Sequence, residues 1–488
     1  MDNIAERIAD KVKTAGGRTF YVGGFVRDRL LGIDNKDTDI EVHGITPDKL
    51  MGILGEIGEP LSFGQSFGIY SLRGESIDIA MPRRERKSGT GHRDFDVDVD
   101  PFIGTFEAAR RRDFTINAMM EDVLSGEIID HFGGRRDLSE RIIRHVDPAT
   151  FTEDPLRVLR AAQFAARFDF SIAEETVALC RSIDLSTLTR ERVEEEMKKA
   201  LLKSDRPSVF FESLRKMDQL DVWFPELAQL IGVEQDPVYH PEGDVWTHTM
   251  DVVDRAAAFR DKVSDPYAFM MLALTHDMGK TVTTEFVKGR IHAYEHEIKG
   301  LPLAEDFLRR LTGERAVIGY VMNMLPLHMR PNIAAYSKPS MKSTNRMFDA
   351  AAAPEDLIWF AQADHPLYAG EERFTGDNEF LFERLESYRR TMAAPHVMGR
   401  DLIAAGLEPG EDFTELLEYA HKLRLAGIDK ETALKQVLAY ARKNKKPGSL
   451  RLFCQVIRRK CLYGAFYCRK IIRSLEKRLG IIKTFKYQ

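Results

Sequence analysis

The sequence predicts an α+β region at the N-terminal end followed by a mainly α-helical remainder. Three observations carry this reading. Apolar alternation of period two recurs up to about Asp147, a helical period takes over at "TEDPLRVLRAAQFAARFDF", and turn-rich breaks then divide the helical text.

In chain order, "MDNIAERIADKVKTAGG" reads as a charged amphipathic helix, and "RTFYVGG", "TDIEVHG", "FGIYSLRG", "SIDIAMP" and "GEIIDHFGG" read as strands. The polar, glycine-containing "RRERKSGTGHRDFDVDVDP" shows no helical period, so residues 83–101 are expected to form a long flexible loop over a cleft. Thr152 is the expected N-cap of the next helix, with Pro155 early in its first turn. Breaks at "VEQDPVYHPEGD" and "LYAGEERFTGDNEF" then give five units: residues 1–150 as the head, 151–235 as a neck, 236–370 as a third helical domain, 371–445 as a helical body, and 446–488 as a basic extension.

At 488 residues the chain is long enough for several cores. Its net charge is −5, yet from Arg442 onward fifteen Lys and Arg face one Glu, so the rest is distinctly acidic and any nucleic-acid contact is local. Cys180 stands alone and Cys454, Cys461 and Cys468 recur every seven residues, the spacing of one helical face, which suits neither a disulfide framework nor a CxxC zinc site. A reducing cytoplasm fits. The first residues lack the pattern of an export signal, and nowhere do roughly 18 apolar residues run together, which disfavours export and a membrane span.

The chemistry starts at "YVGGFVRDRLLGIDNKDTDIEV". In an extended strand, side chains at i and i+2 leave the same face, so Asp37 and Asp39 point together and repel each other unless a cation lies between them. Hard oxygen ligands suit Mg²⁺, which takes one or two carboxylates together with water and substrate phosphates. Asp78, in the later strand, is a third candidate carboxylate. Gly23 and Gly24 allow backbone N–H groups to approach a triphosphate closely, and Arg27 offers it a cation. Taken singly, the acidic pair reads equally as a solvated strand edge and the glycines as a turn.

The ordered set "GGFVRDRLLG…DTDIEV", "RRDFTINAM", "DHFGGRRDL" and "EDPLRVLRAAQFAARF" resembles the class II (bacterial-type) tRNA nucleotidyltransferases, the CCA-adding enzymes, over roughly the first 200 residues. The resemblance implies a nucleotidyltransferase head and addition of CCA to tRNA 3′ ends from CTP and ATP, with release of pyrophosphate. It also implies that Asp37 and Asp39 hold Mg²⁺, and that Arg111, Arg112, Asp113, Asn117 and Arg160 belong to the nucleotide site, Arg112 and Asp113 at the triphosphate and ribose 2′-hydroxyl. Asp37 or Asp39 would help deprotonate the attacking hydroxyl.

In "EDPLR" at a helix start, Glu153 and Asp154 lie four and three residues before Arg157 and share its face, as would a plain surface ion pair. An Asp accepts and an Arg donates, which matches the edges of both cytosine and adenine, while guanine and uracil present the reverse order. A site built for those hydrogen bonds rejects the wrong base by factors of roughly 10⁴ without a nucleic-acid template. The family resemblance gives this selecting role to Asp154 and Arg157, with Glu153 holding the arginine.

Farther on, His276-Asp277 follows an apolar run and precedes Gly279-Lys280. With "VWTHTM" and "AQADHP" it resembles the HD phosphohydrolases, which implies metal contacts at His248, His276, Asp277 and Asp364, with His296 and His328 as additional ligands. Imidazole with carboxylate suits a second divalent or transition metal, and the implied chemistry is hydrolysis of 2′,3′-cyclic or 2′-phosphates on tRNA ends. A retained fold without activity is the other reading.

Residues 186–203 are similar to the bracing helix of the class II neck, and residues 397–417 to the module that grips the tRNA elbow; the head is expected at the acceptor end. The basic tail, with its Phe and Tyr, suggests RNA or an anionic surface. Three rivals stay open: a poly(A) polymerase, an enzyme adding only CC or only A, and an HD hydrolase with an inactive head.

Overall fold

The computed structural model describes residues 4–34, 38–62, 68–87, 95–365 and 375–444. Asp37, most of the expected break at 367–380 and the cysteine-bearing tail lie outside the described residues.

A seven-stranded mixed sheet organises the N-terminal region. Its strands are β1 (Arg18–Val22), β2 (Thr38–His43), β3 (Pro60–Ser62), β4 (Ile69–Leu72), β5 (Ile77–Ala80), β8 (Met120–Asp122) and β9 (Ile128–Ile129), in the order β3-β4-β5-β2-β1-β8-β9. Neighbours run antiparallel except β2 and β5, which are parallel. Period-two alternation divides the sheet's faces. Tyr21, Ile40, Val42, Ile77 and Ile79 pack with Ile8, Val12, Leu50 and Leu54 of the helices Ile4–Thr14 and Pro47–Ile57. Phe20, Val22 and Met120 face the other way, onto Ala108 and Ala109 of the helix Thr105–Arg110. Each fully buried Ile or Val contributes about 1.5–3 kcal/mol, so the first face anchors the sheet and the second is left to build a site.

The expected long loop over residues 83–101 is corrected. β6 (Arg83–Lys87) and β7 (Phe95–Val99) form an antiparallel hairpin, in register from Arg83 with Val99 to Lys87 with Phe95. Main-chain hydrogen bonds suffice for such a pair, and "RRERK" carries no apolar alternation to announce it.

Two short strands, β10 (Ile142–Ile143) and β11 (Ser171–Ile172), pair in parallel and join the sheet region to the helix Leu156–Phe168. That helix packs on Arg190–Lys203 and Ser208–Lys216. Thr152 closes the preceding short helix Pro148–Phe151 rather than opening this one; the Asp154 carboxylate accepts from the Leu156 N–H, 3.1 Å away. The text expected to stay helical is interrupted by a hairpin, β12 (Thr284–Val287) and β13 (Arg290–Ala293). Its turn at Lys288 and Gly289 has positive φ at both residues, a two-residue hairpin geometry that the helical reading passed over.

One continuous apolar core runs from Ala5 through the sheet and helices to Leu385, and Val397, Leu402, Leu416, Ala420, Ala433 and Val437 form a separate one. At the centre of the first lies the helix Pro266–Thr275, buried all round from Tyr267 onward, which delivers His276 at its C-terminal end into the interior. Among the described residues no helix is long and apolar enough to cross a membrane.

Candidate active site and a second ligand cluster

The parallel pairing of β2 with β5 sets Asp39 beside Asp78, on the sheet face that also carries Glu41 and His43. Asp39 is half-buried and Asp78 exposed. Glu41 is buried. Burial raises its pKa, but the hydrogen bond from His43 at 2.8 Å and the Arg112 guanidinium at 3.3 Å outweigh this and hold it below the usual carboxylate range. Ionised Glu41 thus fixes Arg112 over the acidic edge. Sequence reasoning missed this residue, although it continues the i, i+2 spacing of Asp37 and Asp39.

The two glycines make room for two guanidinium groups. Gly23 has φ 63°, and a Cβ there would lie 3.2 Å from Arg112 Nη1; a Cβ on Gly24 would lie 3.3 Å from Arg27 Nη2. Arg27 itself points inward, not towards the acidic edge. It donates to Asp28 at 2.8 Å and to Asn117 Oδ1 at 2.6 Å, above the rings of Phe164 and Phe168. This corrects the expectation that Arg27 meets the triphosphate: only 3% of it is exposed, and its charge is spent on Asp28. Arg112, with 30% of its side chain exposed, is the cation on the open side.

Asp113 is the hub behind Arg112. Its Oδ1 accepts from the Phe114 N–H at 2.8 Å and Asn117 Nδ2 at 2.9 Å, and its Oδ2 from Arg160 Nε at 2.7 Å. Burial pushes its pKa up, but Arg160, Asn117 and Arg157 together hold it low. The segment is braced by "DHFGGRRDL": Asp130 caps the helix Gly134–Ser139, Gly134 lies so close to Thr115 that a Cβ would overlap its carbonyl, and buried Asp137 accepts from Thr115 Oγ1 at 2.7 Å.

Arg157 donates to the carbonyls of Thr150 and Arg111, both at 2.8 Å. Main-chain oxygens thus supply the hold expected of Glu153, whose Oε2 lies 3.9 Å from Arg111 Nη2. Asp154 meets Arg192 of the helix Arg190–Lys203, with Nη2 3.0 Å from each carboxylate oxygen. Nothing local in the sequence marks Arg192, which reaches Asp154 only through helix packing.

The second constellation assembles at the end of the buried helix. His248, His276 and Asp364 offer ligand atoms all within 4.8 Å of one another, and so do Asp277, His296 and His328. The donor set fits a metal. The Nδ1 atoms of His276, His296 and His328 lie 2.9, 2.9 and 2.7 Å from the carbonyls of Ala273, Ala293 and Leu325, which fixes Nδ1 as the donor and turns each Nε2 inward as an acceptor. His276 Nε2 is buried and makes no well-formed hydrogen bond, although Asp277 and Asp364 oxygens lie 3.2 and 3.4 Å away. Against burial, those carboxylates raise the His276 imidazole to about 10, whereas burial dominates at His328 and pushes it down to about 4. A Cβ on Gly279 would overlap the His296 carbonyl; this contact seats His296 Nε2 3.2 Å from Asp277. A further pair went unread in the sequence: Glu242 lies 2.7 Å from His248 Nδ1 and 2.9 Å from His240 Nδ1.

A mixed sheet that aligns two aspartates beside a glycine-opened helix and an arginine defines a nucleotidyltransferase head. The family model described as "Poly A polymerase head domain" matches residues 19–144, and "Probable RNA and SrmB- binding site of polymerase A" matches 169–231. The chain is similar to a Multifunctional CCA protein of Actinobacillus pleuropneumoniae, 38% identical over 327 residues, 66% of this chain and 77% of that one. It is also similar to one of Nitrosococcus oceani, 37% identical over 410 residues, 82% of this chain and 95% of that one. A solved structure described as a CCA-adding enzyme complexed with ATP shares the fold at TM-score 0.63 and 23% identity, with 91% of this chain and 95% of that one covered. The chain belongs to the bacterial-type CCA-adding enzymes, the tRNA nucleotidyltransferases.

Proposed function

We propose that the protein completes tRNA 3′ ends with CCA from CTP and ATP, without a nucleic-acid template, in the cytoplasm. The observation that carries the reading is the register of Asp39 against Asp78 beneath the Arg112–Glu41 pair. The tRNA 3′-hydroxyl attacks the α-phosphorus, a new P–O bond forms, and the bond to the leaving pyrophosphate breaks. Asp37, Asp39 and Asp78 are oxygen donors of the kind Mg²⁺ takes; bound there, the ion would neutralise charge on the reacting phosphate. Arg112 neutralises the triphosphate, and Gly23 and Gly24 keep the approach to it open. Asp113 keeps Arg160 and Asn117 in place around the ribose. Asp154 and Arg157 read the cytosine or adenine edge by one acceptor and one donor face.

In the same reading residues 1–150 form the catalytic head, 151–235 the nucleotide-selecting neck, 236–370 the HD domain, 371–445 the tRNA-gripping body and 446–488 a basic extension. The cluster of His248, His276, Asp277, His296, His328 and Asp364 suits a divalent transition metal and supports hydrolysis of cyclic or 2′-phosphates at RNA ends. Water oxygen bonds to phosphorus, one ribose oxygen–phosphorus bond breaks, and the released oxygen takes the water's proton.

The test is incorporation into tRNA transcripts ending before the first C, before the A, and complete, with CTP and ATP supplied separately and together. Ordered addition that stops at CCA supports the reading. Long A tails support a poly(A) polymerase, arrest after CC or A alone supports the partial enzymes, and metal-dependent phosphatase activity without incorporation supports the HD hydrolase.

A further inference from the structure

Beside the histidine–aspartate cluster, the structure exposes aromatic rings that its metal chemistry does not use. Tyr239 is 58% and Tyr294 57% exposed. The rings of His292 and Tyr294 stack with centroids 4.9 Å apart and planes 11° from parallel. The Arg290 guanidinium lies 5.4 Å over the Tyr239 ring and is held by Asp236 at 2.8 Å. This contact joins the 236–244 segment to the face of β13 that carries Arg290 and His292, residues two apart in an antiparallel strand and therefore on one side.

Both segments run straight into the cluster. Tyr239 precedes His240, which shares Glu242 with His248. Tyr294 precedes His296 by two residues, a backbone reach of at most about 7 Å. A group docked on these rings therefore places its neighbouring phosphate at the ligand atoms. Exposed planar rings with a fixed guanidinium between them are the chemistry of single-stranded nucleic acid: bases stack on the rings and Arg290 meets the backbone charge.

We propose that Tyr239, Arg290, His292 and Tyr294 form a stacking platform for the terminal nucleotides of a single-stranded RNA end whose phosphoester enters the cluster of His248, His276, Asp277, His296, His328 and Asp364. The proposal rests on the phosphohydrolase reading of that cluster and names its substrate class: a phosphate carried by a stacked nucleotide rather than a small phosphoester.

Two measurements on the full-length protein test it. In the first, binding of the trinucleotide CCA ending in a 2′,3′-cyclic phosphate is followed by isothermal titration calorimetry for the wild type and for Tyr294→Ala, Tyr239→Ala and Tyr294→Phe. The alanine variants are expected to bind at least about tenfold more weakly and Tyr294→Phe, which keeps the ring, within about twofold. In the second, KM is measured for that trinucleotide and for bis(4-nitrophenyl) phosphate with Mn²⁺, Ni²⁺ or Zn²⁺ supplied. The ratio of the two KM values should change about tenfold in the alanine variants. Unchanged trinucleotide binding overturns the platform, as does equal weakening by Ala and Phe. Ring-dependent binding without hydrolysis of either substrate by the wild type upholds the platform and removes the phosphohydrolase reading instead.

Discussion

Arg192 Nη2 lies 3.0 Å from both carboxylate oxygens of Asp154, so a guanidinium from one neck helix fixes the acceptor at the start of another. About a third of the Asp154 side chain is exposed, so the pair contributes at most about 1 kcal/mol to stability. Its worth lies in orientation. Arg192→Ala should leave the melting temperature within a few degrees, raise KM for CTP and ATP about tenfold and increase misincorporation of UTP and GTP. Arg192→Lys keeps the charge without the planar fork and should fall between. Single-nucleotide incorporation kinetics check this; a large loss of stability with unchanged fidelity would show the pair to be structural only.

The acidic edge and the histidine cluster are built from different elements, so their activities should separate. Asp39→Asn removes a carboxylate that Asp78 accompanies in register, and incorporation should drop at least about 10³-fold while phosphoester hydrolysis persists. His276→Ala should do the reverse and lower metal content measured by mass spectrometry. Loss of both activities from either change would contradict two independent sites.

Much of this was legible from the sequence because the informative residues are close together in it. The i, i+2 acids, the paired glycines and the adjacent His276-Asp277 each depend on local geometry, and the period-two strands announced the sheet. What escaped depends on packing between distant segments. Arg192 reaches Asp154 across 38 residues and Asp137 reaches back 22 to Thr115, distances at which no periodicity speaks. Arg27 looked like a phosphate ligand from its neighbours, yet Phe164 and Phe168 of a later helix draw it inward. The hairpin of β6 and β7 was hidden by charge, since apolar alternation signals a strand only where one face is buried.

Gly23 and Gly32 provide a matched pair. Both have positive φ, 63° and 71°, but a Cβ on Gly23 would lie 3.2 Å from Arg112 while one on Gly32 meets nothing within 4 Å. Alanine at either position should cost about 1–2 kcal/mol in backbone strain, read as a lower urea midpoint. Only Gly23→Ala should also displace Arg112 and weaken nucleotide binding, by about tenfold in calorimetry with CTP. Equal nucleotide affinity in the two variants would remove Arg112 from the triphosphate site.

Acid should expose the role of Asp113. Burial raises its pKa, yet Arg160, Asn117 and Arg157 hold it below its ordinary value in the folded protein. A carboxyl whose folded pKa is depressed contributes stability that is fully present above its unfolded value, about 4, and is lost as pH falls through the folded one. Wild-type unfolding free energy, from urea titrations between pH 7 and pH 3, should therefore fall below about pH 4. Asp113→Asn should cost about 2–4 kcal/mol at pH 7, since it leaves Arg160 facing Glu196 alone at 3.9 Å in a mostly buried setting, and should show a smaller decline with acid. If the two proteins decline in parallel, the acid sensitivity lies in other carboxylates, and the hub assigned to Asp113 does not govern the stability of the nucleotide-binding segment.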